Sequence, residues 1–72
     1  MSLYPNPVHN NVHIDLPKNV QVLGMNIFNE SGQVVNSVNE NYEAAILDLD
    51  GGMYLIQFIT EDNLIVKKVV KQ

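Results

Sequence analysis

Apolar and polar residues alternate along this chain with a period of two. In Val12-His13-Ile14-Asp15-Leu16 the apolar residues fall on one side, and His13 and Asp15 fall on the other. That is the pattern of a half-buried strand. Pro17, Lys18 and Asn19 then mark a turn. In Val22–Phe28, Leu23, Met25 and Ile27 point one way, with Gly24, Asn26 and Phe28 opposite. Asn29–Gly32 reads as a turn in which Gly32 is free to adopt positive φ. Gln33–Val38 predicts a third strand, and Asn39–Tyr42 another polar turn.

Glu43–Leu49 predicts a fourth strand, stopped by Asp50, Gly51 and Gly52. The segment Met53–Thr60 is apolar on both faces except at Gln57, as expected of a central strand covered on both sides. A tight turn at Glu61–Asn63 leads into a last strand, Leu64–Gln72. Six strands spaced about 8–12 residues apart, with turn residues between them, predict an all-β chain folded as a small antiparallel sandwich.

A rigid hook, Tyr4-Pro5-Asn6-Pro7, precedes the first alternating segment. Proline fixes φ, carries no N–H and biases the residue before it toward extended conformations. The hook is therefore expected to position the chain as it enters the fold. Met1-Ser2-Leu3 reads as a start codon and cloning remnant, which leaves residues 4–72 as the domain.

Seventy-two residues without a cysteine make one domain near the lower size limit for a single core, with no disulfide and no thiolate zinc site. The net charge of −4 comes from eight acidic residues against four lysines and no arginine. That balance argues against nucleic acid as a partner, since duplex binding draws on a basic patch and on arginine forks. The charge is also polarised. Lys18 is the only cation before residue 67, whereas Lys67, Lys68 and Lys71 crowd the end of the chain. No apolar run approaches the roughly 18 residues of a spanning helix.

Candidate chemistry is sparse. His9 and His13 are four residues apart, but a strand near Val12 fixes only His13, and no third metal ligand is evident. Asp48-Leu49-Asp50-Gly51 begins like a calcium loop. The later ligand positions then hold Gly52, Met53 and Ile59, so the EF-hand pattern fails. Ser31 and Ser37 lie in no nucleophile-elbow sequence. The expectation is a non-catalytic module without metal or cofactor. An adhesion or carbohydrate-binding sandwich is an alternative that a calcium loop or an aromatic platform would favour.

Three patterns in order carry a resemblance. They are Tyr4-Pro5-Asn6-Pro7 before a short alternating strand, the L-x-x-G-x-Y motif Leu49 to Tyr54, and the closing Lys68-Val69-Val70-Lys71-Gln72. Between them, Ile27-Phe28-Asn29 and Gly32-Gln33-Val34-Val35 are similar to a hairpin of the same family. Together these resemble the type A C-terminal sorting domain of the bacterial type IX (Por) secretion system. Three positions depart from the pattern: Asp50 stands where proline is frequent, Glu30 where an apolar residue is common, and Phe28 where tyrosine is usual.

The resemblance implies an immunoglobulin-like β-sandwich of six to seven strands. It also implies a module on the C-terminal side of a cargo protein that passes through the periplasm. The outer-membrane type IX machinery then exports the cargo to the cell surface or the medium, and a sortase-like peptidase removes the module. On this reading Tyr4, Pro5, Asn6, Pro7, Gly32, Leu49, Gly52 and Tyr54 are structural motif positions. Lys67, Lys68, Val69, Val70 and Lys71 are the recognition candidates, on a terminal strand that a receptor could read by strand addition and charge. Set against that recognition is the reading in which Lys67, Lys68 and Lys71 only protect a strand edge from aggregation; pairing of two copies through an exposed strand edge is a further expectation.

Overall fold

A computed structural model describes residues 2–72. Six strands and one short helix follow in chain order: β1 (Ser2–Tyr4), β2 (His13–Asp15), β3 (Val22–Phe28), β4 (Val34–Val38), α1 (Tyr42–Leu47), β5 (Gly52–Thr60) and β6 (Leu64–Lys71). They form two antiparallel sheets, a two-stranded β1-β2 ribbon and a four-stranded sheet in the order β4-β3-β5-β6. The all-β sandwich expected from the periodicity is the fold observed. Ser2 and Leu3, read above as a cloning remnant, are paired in β1 opposite Asp15 and Ile14, while Met1 lies outside the described residues.

Strand register explains which residues are inside. Met25 pairs with Phe58 and Ile27 with Ile56 across β3 and β5, and Tyr54 pairs with Val69 across β5 and β6. Directly paired residues project from the same face of a sheet. Met25, Ile27, Ile56, Phe58 and Val69 therefore make one apolar surface, and all are buried. Val8, Val12 and Ile46 close over it, with Leu3 and Ile14 of the ribbon packed against the same cluster.

The opposite face of the large sheet lies open. It carries Phe28, Val34, Met53, Leu55, Ile59, Leu64, Val66 and Val70 beside a ladder of Ser37, Asn26 and Gln57. In that ladder Ser37 Oγ donates to Asn26 Oδ1, and Asn26 Nδ2 donates to Gln57 Oε1 at 3.0 Å. The strand Met53–Thr60 is thus central, but it is covered on one side only. Leu55 keeps 46% of its surface exposed while its neighbour Ile56 keeps none. A second departure is local: a register shift between Val22 and Gly24 frees Leu23 from the alternation, and its side chain is exposed.

The fourth predicted strand is a helix. Tyr42–Leu47 forms α1, entered through Asn41 at φ 55°, a left-handed conformation that asparagine tolerates better than most residues. The period-two reading of Glu43–Leu49 missed a second pattern. Tyr42, Ala45, Ile46 and Leu49 stand at i, i+3, i+4 and i+7, which is one face of a helix. Ala45 and Ile46 are buried, and Tyr42 and Leu49 pack against the core cluster. Ala44 and Ala45 favour helix, while only Ile46 in this segment is β-branched. The Tyr42 ring meets Phe58 edge-on with centroids 6.3 Å apart, and its hydroxyl donates to the Asn39 carbonyl (3.0 Å). Burial first, and the negative charge of Glu40 second, hold the Tyr42 hydroxyl above its ordinary pKa.

Candidate functional site

The hook and the closing strand, at opposite ends of the sequence, meet in space. After β1 the chain swings from the ribbon to the outer edge of β6, so these few residues tie the two sheets together. Both the Tyr4–Pro5 and the Asn6–Pro7 peptide bonds are cis. Asn6 Nδ2 donates to the Lys68 carbonyl (3.2 Å), and Asn6 Oδ1 accepts from the Val70 N–H (3.0 Å). The Val8 N–H donates to the Val70 carbonyl (2.7 Å), and the Val8 carbonyl accepts from the Gln72 N–H (2.8 Å). Val8 is bridged to Lys71 in a parallel sense.

The chemistry of the hook follows from its residue types. A side-chain carboxamide offers the same donor and acceptor as a peptide group. Asn6 therefore serves as one link of a substitute strand. Pro5 and Pro7 on either side have no N–H to donate, which costs nothing on a sheet edge. Val8 then anchors the hook by complete burial of its side chain.

The middle motif shapes the approach to β5. Gly52 has φ 156°, and a Cβ there would stand 3.7 Å from the Tyr54 ring. The Tyr54 hydroxyl donates back to the Asp50 carbonyl at 2.8 Å, and Leu49 and Tyr54 pack against the core cluster. Tyr54 and Gly52 pair with Val69 and Lys71 respectively, so the L-x-x-G-x-Y segment lies directly beside the closing one. Gly32 lies beside this site and lines one surface depression with Met53, Tyr54, Leu55 and Lys68. It takes φ 82° in the β3–β4 turn, where Asn29 Oδ1 accepts the N–H groups of Ser31 and Gln33.

The recognition candidates divide by strand parity. Val69 is buried among the core side chains. The backbone of Val70 is engaged on its outer side by Asn6 and Val8. Lys68 shares the open face with Leu55, whereas Lys67 and Lys71 lie on the other face, paired with Ile56 and Gly52. The expected accessible terminal strand is accordingly covered along its outer edge from the Lys68 carbonyl to the Gln72 N–H. This arrangement was not legible in the chain, since the partners stand 62 and 64 residues apart.

The residues weighed for metal chemistry lie elsewhere. His13 is on β2 with its ring 5.4 Å from that of Tyr4, and His9 is in the exposed segment after the hook. Asp48 caps the C-terminal end of α1. Among the described residues, no three of the His, Asp or Glu side chains are grouped so that they could share a metal ion.

The profile of the secretion system C-terminal sorting domain matches residues 2–72, the whole described chain. This chain belongs to the type IX secretion C-terminal sorting-domain family. No curated protein and no solved structure matches it. Membership accounts for the three motifs at once: in this sorting domain they are the hook, the strand it covers and the turn beside that strand. A sorting domain marks a protein for export across the outer membrane, to the surface or the medium.

Proposed function

We propose that this sorting domain is a non-catalytic, folded address whose basic terminal strand is read by the outer-membrane type IX machinery. Its cargo is a polypeptide attached on the N-terminal side that reaches the machinery through the periplasm. A sortase-like peptidase removes the domain after export. The observation that carries the reading is the family match over the whole described chain, joined to the concentration of three of the four cations in β6. Lys67 and Lys71 leave the strand on one face and Lys68 on the other. A receptor that grips β6 by charge can therefore engage it from both sides.

The test is export of a periplasmic reporter fused ahead of the domain in a bacterium that has the type IX system. Truncation before Val66 is expected to abolish export, but it also removes the buried Val69 and so disturbs the fold. A Lys67→Gln/Lys68→Gln/Lys71→Gln variant separates address from fold, because it removes charge and leaves the core side chains in place. Reduced secretion with an unchanged melting temperature supports the reading. Parental secretion by the neutral variant removes the charge from it, and periplasmic retention of the parental fusion defeats the reading as a whole.

A further inference from the structure

The hook covers only half of the outer edge of β6. In an antiparallel strand, successive residues turn their N–H and C=O groups alternately toward the partner and away from it. The bonds of Asn6 and Val8 identify Lys68, Val70 and Gln72 as outward-turned residues. By the same alternation Val66 and Leu64 are outward as well. Among the described residues, the outward groups of Leu64 and Val66 and the N–H of Lys68 have no partner. The side chains beside them are also open, with Leu64 58% and Val66 55% exposed.

Resting on the sorting reading above, we propose that this open half-edge, Leu64–Lys68, is a strand-addition site for an extended, acidic and apolar segment of the receptor. Backbone groups at an exposed sheet edge supply affinity for such a segment, and alternate side chains supply specificity. The chemistry of the segment follows from what it meets. Residues over the open face lie against Leu64, Val66 and then Lys68, so apolar side chains lead to a carboxylate. On the other face the segment passes Lys67, where a second carboxylate is matched. No acidic residue stands on β6 to compete.

The hook has a defined part in this arrangement. Asn6 already holds the Lys68 carbonyl and the Val70 N–H, so an added strand must stop at Lys68. The pairing register is thereby fixed at one end, where a short apolar edge alone would allow slippage. The same hook closes the rest of the edge against unspecific pairing, as prolines on edge strands do.

The test uses the reporter fusion described above, with the fold of each purified domain checked by thermal melting. Val66→Pro removes an outward N–H and sets a ring in the path of an added strand, without touching a bond to β5. Leu64→Lys/Val66→Lys leaves the backbone intact and replaces the apolar contacts with charge. Each is expected to cut secreted reporter by about tenfold or more, the scale of one or two lost hydrogen bonds. Val35→Pro, on the opposite edge strand β4, is expected to secrete at the parental level. Should Val66→Pro fail to fold, the double-lysine variant decides. Parental-level secretion by a folded Val66→Pro or double-lysine domain overturns the edge proposal and leaves the sorting reading standing. Retention of the parental fusion in the periplasm overturns the sorting reading itself.

Discussion

Asn6→Ala is the sharpest perturbation of the joint between the two ends of the chain. The change deletes two hydrogen bonds to β6, of 3.2 and 3.0 Å, and leaves the Val8 backbone pair in place. A net hydrogen bond contributes roughly 0.5–1.5 kcal/mol. Both of these are solvent-exposed, so the loss should total about 1–2 kcal/mol. For a domain of this size that corresponds to a Tm decrease of roughly 4–16 °C. It is a sizeable share of the roughly 4–11 kcal/mol expected for 72 residues.

Amide hydrogen exchange resolves where the loss falls. The Val70 N–H loses its acceptor and should exchange much faster in the variant. Val69 and Lys71, whose alternate backbone groups face β5, should keep their protection. An unchanged Tm together with a still-protected Val70 amide refutes the hook as a fastener. Uniform loss of protection along β6 refutes the view that the bonds act locally.

Three further outcomes follow from the packing. Ile46→Ala should cost about 2–5 kcal/mol by the cavity left under α1, read by denaturant unfolding; a cost below about 0.5 kcal/mol, typical of a surface site, contradicts the helix and its buried face. Leu55→Thr and Ile56→Thr form a parity pair on β5. The first should stay near the parental stability and the second should lose several kcal/mol, about what burial of an unsuited polar group in a core costs, whereas equal losses contradict one-sided burial of the sheet. Tyr42 has a folded pKa above its ordinary value, so folding favours its protonated form. Its contribution is complete below about pH 10 and is lost as pH rises through the folded value; Tyr42→Phe should therefore flatten the alkaline decline in stability, and an identical decline in both proteins contradicts the burial of that hydroxyl.

What could be read in the chain was whatever local periodicity and turn chemistry encode. Strand β3 follows from alternation, β5 from its apolar run, and β4 and β6 from short segments bounded by turn residues, with Asn29 and Gly32 marking the β3–β4 turn by residue type. Three features lay outside that reach. The segment Tyr42–Leu49 carries both a period-two and a helical pattern, and tertiary burial of Ile46 and Tyr42 against Phe58 decides for the helix. The apolar run in β5 reads as two-sided burial, yet a chain this short has only one small second layer to offer, and that layer covers a single face. The joint between Asn6 and β6 depends on contact between the ends of the chain, which no local period records. The motifs were visible singly, and the fold makes them one site.

The central claim is that the folded domain, read through its terminal strand, directs export by the type IX machinery. The most direct measurement is the secreted fraction of a reporter fused ahead of residues 2–72, in paired strains with and without that machinery. The account predicts secretion in the first strain and periplasmic reporter in the second. Equal distribution of the reporter in the two strains would contradict it.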